Sequence, residues 1–186
     1  MNLLEKAIIF ATEKHSGSLR KGTDIPYIMH PLEAVSIAAG MTSDLEILAA
    51  AALHDVVEDT STTLAEIEAE FGERVALLVA SDSEDKMPGI PQSESWKIRK
   101  EATIDALQSA SFDTKIIVLA DKLSNIRAIY RDSVCQGDEI WERFNQKDKQ
   151  MHEWYYRTIG EHLSTLSEHV AYQEYCRLVD MVFAAE

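Results

Sequence analysis

The chain has 186 residues and a formal net charge of −14, with 32 acidic against 18 basic side chains. This length suits one domain with one hydrophobic core. The acidic excess argues against general nucleic-acid binding, which needs a basic surface that displaces counterions. A local basic cluster could still bind a small phosphorylated ligand.

The apolar runs are short and the cysteines few. The longest apolar run, 47–53, is far below the roughly 20 residues of a bilayer span, so we expect no membrane segment. The first residues include Glu5 and Lys6 and do not resemble a secretory signal, which favours a cytoplasmic location. Cys135 and Cys176 form no metal-binding pair, and we interpret them as reduced thiols in or near the core.

Hydrophobic spacing predicts an all-α fold of about eight to ten helices, because apolar residues recur at helical intervals and Gly and Pro are scarce. The predicted helices cover residues 3–15, 31–40, 44–57, 64–72, 73–81, 95–109, 114–131, 149–166 and 169–184. Ser43–Glu46 and Thr63–Glu66 are capping-box patterns, and Asp113 is a predicted N-cap. Residues 81–94 are predicted to form a long surface loop, a kind of segment that is often functional.

The most informative segment is residues 53–60, Leu-His-Asp-Val-Val-Glu-Asp-Thr. It places His54 and Asp55 directly after an apolar helix, where an unpaired charge is costly to bury. These residues could still be a solvated helix end beside a satisfied core histidine. Adjacent helical side chains point about 100° apart, so the pair could converge on one metal ion only with ligands from elsewhere.

Two further residues could complete such a site. His30 lies between Pro26 and Pro31, where a loop is predicted to enter a helix, and Asp121 is a single acid after the apolar run 116–120. A lone carboxylate there is costly unless it is paired or bound to a metal. Two imidazoles and two carboxylates are compatible with Mn²⁺, Fe²⁺, Co²⁺, Ni²⁺ or Zn²⁺.

Four blocks of sequence, in this order, resemble the hydrolase domain of RelA/SpoT proteins within the HD superfamily. The blocks are Arg20-Lys21-Gly22, Tyr27-Ile28-Met29-His30-Pro31, His54-Asp55-Val56-Val57-Glu58-Asp59-Thr60 and Leu119-Ala120-Asp121-Lys122-Leu123-Ser124-Asn125-Ile126-Arg127. The short chain resembles the small alarmone hydrolases. The blocks fall within about residues 3–131, and with C-terminal helices at 149–184 we predict one HD-type domain over 1–186.

The resemblance implies hydrolysis of the 3′-pyrophosphate of (p)ppGpp, giving GDP or GTP and pyrophosphate. It implies that Mn²⁺ is held by four ligands: His30, His54, Asp55 and Asp121. In the related hydrolases, the acids that match Glu58 and Asp59 position and activate the attacking water. A bound divalent ion would acidify that water and polarise a phosphoryl oxygen.

For the guanine nucleotide, the resemblance implies contacts from Arg20, Lys21 and Asn125, with the flat guanidinium stacking on the base. Two positions depart from the family pattern. Ser124 stands where many relatives carry His or Tyr, and Ala128 stands where they carry a polar residue that can touch the nucleotide. The departures put guanine specificity in question.

Two other groups have an ordinary interpretation beside a functional one. Lys97, Arg99 and Lys100 follow the long loop and could reach a distal phosphate, although helix surface is the simpler interpretation. The aromatic run 154–156 could stack on a base, although core packing is more common. Alternative functions are another HD phosphohydrolase acting on a nucleotide or NADPH, and a helical module that binds a nucleotide without turnover.

Overall fold

The computed structural model describes residues 1–84 and 86–184, and over these residues the protein is all-α. Its ten α-helices are α1 Leu3–Lys14, α2 Met29–Ala39, α3 Leu45–Leu53, α4 Val56–Asp59, α5 Leu64–Phe71, α6 Glu73–Asp82, α7 Gln92–Gln108, α8 Phe112–Gln136, α9 Lys149–His162 and α10 Val170–Phe183. Two 3₁₀ helices, Gly137–Arg143 and Ser164–Leu166, flank α9. The predicted fold class is confirmed.

Helix α3 is the centre of the bundle. All residues from Ile47 to Leu53 are buried, and the helix packs against α1, α2, α6 and α8. The four alanines of 49–52 let these neighbours approach closely on every side, as expected for a helix that is apolar all round. Its C-terminal end therefore delivers His54 and Asp55 into the interior.

Helix α8 is the long scaffold on which α2, α3, α6 and α10 pack. It begins after Ser111, whose hydroxyl accepts a hydrogen bond from the backbone N–H of Thr114. The prediction of Asp113 as the N-cap was therefore wrong, because Ser111 already caps the helix and Asp113 lies in its first turn. The buried middle of α8 carries Asp121 into the same interior.

The helix predicted to run to residue 57 is interrupted near its C-terminal end. Helix α3 stops at Leu53, and α4 begins at Val56. The N-cap of α3 is Asp44 rather than Ser43, since the Asp44 carboxylate accepts from the N–H of Glu46. The second predicted capping box, at Thr63–Glu66, is confirmed at the start of α5.

The predicted loop 81–94 is shorter than expected. Helix α6 extends to Asp82 and α7 begins at Gln92, directly after Pro91. Within the connection, Asp85 lies outside the described residues. No helix among those described is both long and apolar enough to cross a membrane.

Candidate metal centre and active site

Three packed helical segments bring the four predicted ligands together. His30 Nε2 lies 3.1 Å from His54 Nε2 and 3.1 Å from Asp121 Oδ1. Asp55 Oδ2 lies 3.1 Å from His54 Nε2 and 3.4 Å from His30 Nε2. Three of these residues, His30, His54 and Asp121, are buried and place ligand atoms within 4.8 Å of one another. This group could hold one metal ion.

The orientation of both imidazoles favours a metal at this point. His54 Nδ1 lies 2.9 Å from the carbonyl oxygen of Ala51, so that nitrogen carries the proton. His30 Nδ1 lies 2.8 Å from Ser124 Oγ. Because the Ser124 hydroxyl donates to Glu33, it accepts from His30 Nδ1–H. Once Nε2 has lost its proton, each ring would therefore aim an Nε2 lone pair at the shared centre, the arrangement that orients metal-binding histidines.

Both carboxylates are also held in place by neighbours. The Tyr27 hydroxyl donates to Asp55 Oδ2 at 2.6 Å. Asn125 Nδ2 donates to Asp121 Oδ1 at 2.5 Å, and the Lys122 ammonium pairs with the other oxygen of Asp121. The ligand set is thus fixed before any ion binds, and its mixed nitrogen and oxygen atoms fit a divalent transition metal.

The electrostatics of the centre also favour a cation. Burial acts to lower the pKa of His54, but Asp55 and Asp121 outweigh it and raise the pKa to about 10. Burial acts to raise the pKa of Asp55, yet His54 and His30 hold it well below its usual range. The same negative potential would attract a divalent ion, which replaces the proton on a ligand when it binds.

Glu58 and Asp59, the predicted catalytic acids, lie on the single turn α4. Both line the cavity that His30, Asp55 and Asp121 also line, which we call the metal-centre cavity. Burial, with Asp55 and Asp59 nearby, raises the pKa of Glu58 to about 7. Lys86 opposes this shift, since its Nζ lies 2.7 Å from Asp59 Oδ1 and 3.8 Å from Glu58 Oε1. A carboxylate that titrates near neutrality is suited to accept a proton from water.

A larger cavity of about 400 Å³ adjoins the metal centre. Arg20 and Asn125 line both spaces, and Arg20 Nη2 donates to Asn125 Oδ1 at 2.7 Å. Lys21 lines only the larger cavity and donates to Asn145 Oδ1 at 3.0 Å. Ala128 also faces this cavity, so the departure noted in the sequence falls at a place where a base could lie.

The aromatic run divides between two spaces. Tyr156 is buried and lines the larger cavity, whereas Tyr155 is buried and lines the metal-centre cavity. Trp154 is half-buried and packs against the core. Of the basic residues after the loop, only Lys100 lines the metal-centre cavity, while Lys97 is exposed and pairs with Glu101.

Several residues of the site were not singled out from the sequence. Tyr27 and Lys122 belong to the blocks that resemble the RelA/SpoT hydrolase domain, so the sequence carried a signal that they lie near the site. Glu33 and Asp82 had none, because isolated acids are common on surfaces. Asp82 lies at the end of α6 beside the metal centre, where burial raises the pKa of its carboxyl to about 6.

Comparison with known proteins agrees with this geometry. Residues 7–148 match the family described as HD domain. The chain is 37% identical over 132 residues to the guanosine-3′,5′-bis(diphosphate) 3′-pyrophosphohydrolase MESH1 of Danio rerio, which covers 69% of this chain and 70% of the relative. The structure of lmo0812 from Listeria monocytogenes EGD-e has a TM-score of 0.74 at 32% identity, over 84% of this chain and 99% of that one.

A second solved structure shares the fold over nearly the whole chain. It is described as a metazoan ortholog of SpoT that hydrolyses ppGpp. Its TM-score is 0.75 at 24% identity, and the match covers 97% of this chain and 95% of that chain. Together with the family match and the 37% identical relative, the geometry leads to one conclusion: the chain belongs to the HD-domain family, whose phosphohydrolases are metal-dependent.

Proposed function

We propose that the protein hydrolyses the 3′-pyrophosphate of (p)ppGpp, releasing pyrophosphate and GDP or GTP. The observation that carries this proposal is the convergence of two histidines and two aspartates beside Glu58 and Asp59, at the junction with a cavity large enough for a nucleoside. The name of the Danio rerio relative supports the choice of substrate.

The proposed ligands are His30, His54, Asp55 and Asp121, and the proposed ion is Mn²⁺. A divalent cation held there would supply positive charge to a phosphoryl group under attack and would acidify water. Tyr27 keeps Asp55 in place through its 2.6 Å hydrogen bond. The chain from His30 through Ser124 to Glu33 sets the orientation of that imidazole.

The acids of α4 handle the proton. Glu58 accepts the proton of the attacking water, since its pKa of about 7 leaves much of it ionised at neutral pH. Asp59 orients that water, and its ion pair with Lys86 holds the carboxylate in position. The water oxygen bonds to the phosphorus on O3′, the bond from that phosphorus to O3′ breaks, and O3′ takes up a proton.

The nucleoside is proposed to occupy the larger cavity. Arg20 lies between the two cavities, 5.6 Å from the centre of the Tyr27 ring, where its flat guanidinium can stack on a base. Asn125 and Lys21 supply polar contacts on the same side. Of the alternatives, a different HD phosphohydrolase is favoured by Ala128, which offers no polar group to a guanine.

A substrate panel tests the assignment. The Mn²⁺-loaded protein is incubated with ppGpp, NADPH and nucleoside monophosphates, and the metal content is measured on the same sample. We expect pyrophosphate from ppGpp at a higher rate than any other product. Orthophosphate from NADPH or a monophosphate, with no pyrophosphate from ppGpp, would favour the alternative phosphohydrolase. Tight ppGpp binding without turnover in any divalent metal would favour a binding module.

Other features belong to the same proposal. We place the protein in the cytoplasm, as one HD-type domain over 1–186 that acts on a small nucleotide. The net charge of −14 is consistent with the absence of a nucleic-acid partner, and none of the apolar runs suggests a membrane partner.

A further inference from the structure

The metal-centre cavity has a volume of about 170 Å³. The residues of one of its walls have no role in the function proposed above. Lys100 and Thr103 of α7, Lys122 of α8 and Tyr155 of α9 line this cavity and are absent from the lining of the larger one. We call these four residues the α7–α9 wall. The space is too small for a nucleoside and suits a phosphate-sized group.

Both lysines of the wall are held in the cavity rather than extended into solvent. The side chain of Lys100 is 19% exposed, and its Nζ lies 4.9 Å from the centre of the Tyr155 ring. The side chain of Lys122 is 15% exposed and pairs with Asp121. Each ammonium already meets one carboxylate, Glu84 for Lys100 and Asp121 for Lys122. An ammonium has three donors, so both groups can also donate to an anionic ligand in the cavity.

The Tyr155 hydroxyl provides independent evidence that a ligand binds at this wall. The residue is 4% exposed, and its hydroxyl has no hydrogen-bond partner among the described residues. Two nearby tyrosines differ in this respect. Tyr175 donates to the carbonyl of Tyr156 at 2.7 Å, and Tyr172 donates to the carbonyl of Gly160 at 3.1 Å. A buried phenol without a partner is unfavourable, and a phosphate oxygen would accept its proton.

Two of the carboxylates that line the cavity, those of Glu84 and Asp82, lie close to cations at this wall. Glu84 lies 2.5 Å from Arg99 and 3.2 Å from Lys100, so Arg99 compensates its charge and leaves Lys100 able to meet a second anion. Asp82 also lines the cavity, and one of its carboxyl oxygens has no hydrogen-bond partner in the part of the chain that the structure describes. Burial raises the pKa of this carboxyl, and the charge of Lys122 acts to lower it.

We propose that the α7–α9 wall binds the terminal phosphate of the 3′-diphosphate, with Lys100, Lys122 and the Tyr155 hydroxyl as its contacts. The pocket makes the enzyme select a 3′-diphosphate over a 3′-monophosphate. In the reaction, the terminal phosphate takes no part in bond breaking: the bond from O3′ to the nearer phosphorus is cleaved, and both phosphates leave together. This inference rests on the proposed function.

The test compares two substrates that differ only in the terminal phosphate, guanosine 5′-diphosphate 3′-diphosphate and guanosine 5′-diphosphate 3′-monophosphate. We expect Tyr155→Phe and Lys100→Met to lower kcat/KM for the 3′-diphosphate by about 10- to 100-fold, as for loss of a hydrogen bond to a charged group. Hydrolysis of the 3′-monophosphate should stay within about twofold. An equal fall for both substrates, or no change for either, would overturn the proposal.

Lys97→Met is the matched control, because Lys97 lies on the same helix with its side chain 61% exposed. It should leave both rates unchanged. Thermal unfolding and metal content of each variant show whether the fold and the metal centre are intact. Tyr155→Phe changes only the hydroxyl, so it keeps the test decisive if Lys100→Met does not fold.

A binding measurement separates the failure of this proposal from failure of the proposed function. Calorimetry with inorganic pyrophosphate and the metal-loaded protein should give binding that Tyr155→Phe weakens at least about tenfold. Loss of this difference overturns the pocket assignment even if ppGpp is cleaved. Conversely, a parent protein that does not cleave ppGpp refutes the proposed function, while pyrophosphate binding still tests the pocket.

Discussion

The metal centre and the larger cavity, in which we propose that the nucleoside lies, differ in how firmly their residues are placed. Each proposed ligand in the centre comes from a buried or packed segment and has at least one further partner, such as Ser124 behind His30. In the larger cavity, Arg20 and Lys21 lie on the loop between α1 and α2, and each donates to one asparagine side chain. The proposed metal ligands therefore come from packed helical segments, whereas Arg20 and Lys21, the proposed nucleotide contacts, lie on a loop with one side-chain hydrogen bond each.

This difference predicts how mutations should act. Substitutions in the centre should abolish metal binding or turnover, because buried charged groups left without partners are strongly destabilised. Substitutions in the larger cavity should change the affinity for the nucleotide by modest factors.

Asp55→Ala should have the largest effect. It removes one proposed ligand, whose carboxylate lies 3.1 Å from His54 Nε2 and 3.4 Å from His30 Nε2. We expect loss of metal binding and a fall in ppGpp hydrolysis of more than about 10⁴-fold. Metal analysis and a pyrophosphate-release assay check this, with Asp105→Ala on the exposed side of α7 as the control. Hydrolysis at the parent rate would refute the site assignment.

Glu58→Gln should separate metal binding from proton transfer. The amide keeps the size of the side chain but cannot accept a proton from water. We expect metal content close to that of the parent and a kcat lower by about 10²- to 10⁴-fold. Glu101→Gln, at an exposed position, should have no effect on kcat. A normal kcat in Glu58→Gln would remove this residue from the mechanism.

Ser124→Ala should weaken the centre without destroying it. The substitution breaks the link between His30 Nδ1 and Glu33, so the imidazole loses the group that fixes its orientation. We expect metal affinity to fall by about 10- to 100-fold, with turnover recovered at a high metal concentration. Competition with a chelator measures this affinity. An unchanged affinity would show that packing alone orients His30.

Arg20→Met should change substrate affinity more than turnover. The substitution removes a charge and a flat stacking group at the junction of the two cavities. We expect KM for ppGpp to rise by about tenfold with kcat changed by less than about threefold. Steady-state kinetics distinguish the two parameters. A fall confined to kcat would instead place Arg20 among the groups that act in the transition state.

Lys86→Gln should give the smallest effect, a shift in pH dependence. Glu58 must be ionised to accept a proton, so kcat/KM should rise with pH through its pKa near 7. Lys86 lowers that pKa, while Asp55, Asp59 and Glu84 raise it. Removing the lysine should move the acid limb to higher pH, by no more than about one unit because Lys86 is 40% exposed. A shift to lower pH would contradict the assignment.

Much of the fold and of the metal centre could be predicted from the sequence, for physical reasons. Apolar spacing predicted the helices, and the cost of burying charge next to apolar runs pointed to Asp55 and Asp121 as partnered groups. The interruption between α3 and α4 was not predicted, because the residues on either side continue a helical pattern. Tyr155 and Lys100 could not be separated from core and surface residues, since only the packing of α7 against α9 brings them together.

The most direct test is a metal titration of the metal-free protein, with bound Mn²⁺ and pyrophosphate release from ppGpp measured in the same samples. We expect activity to rise with metal occupancy and to saturate at one ion per chain, and we expect Asp55→Ala to show neither. Full pyrophosphate release without bound metal, or equal metal binding by Asp55→Ala, would show that these four residues do not form a catalytic metal centre.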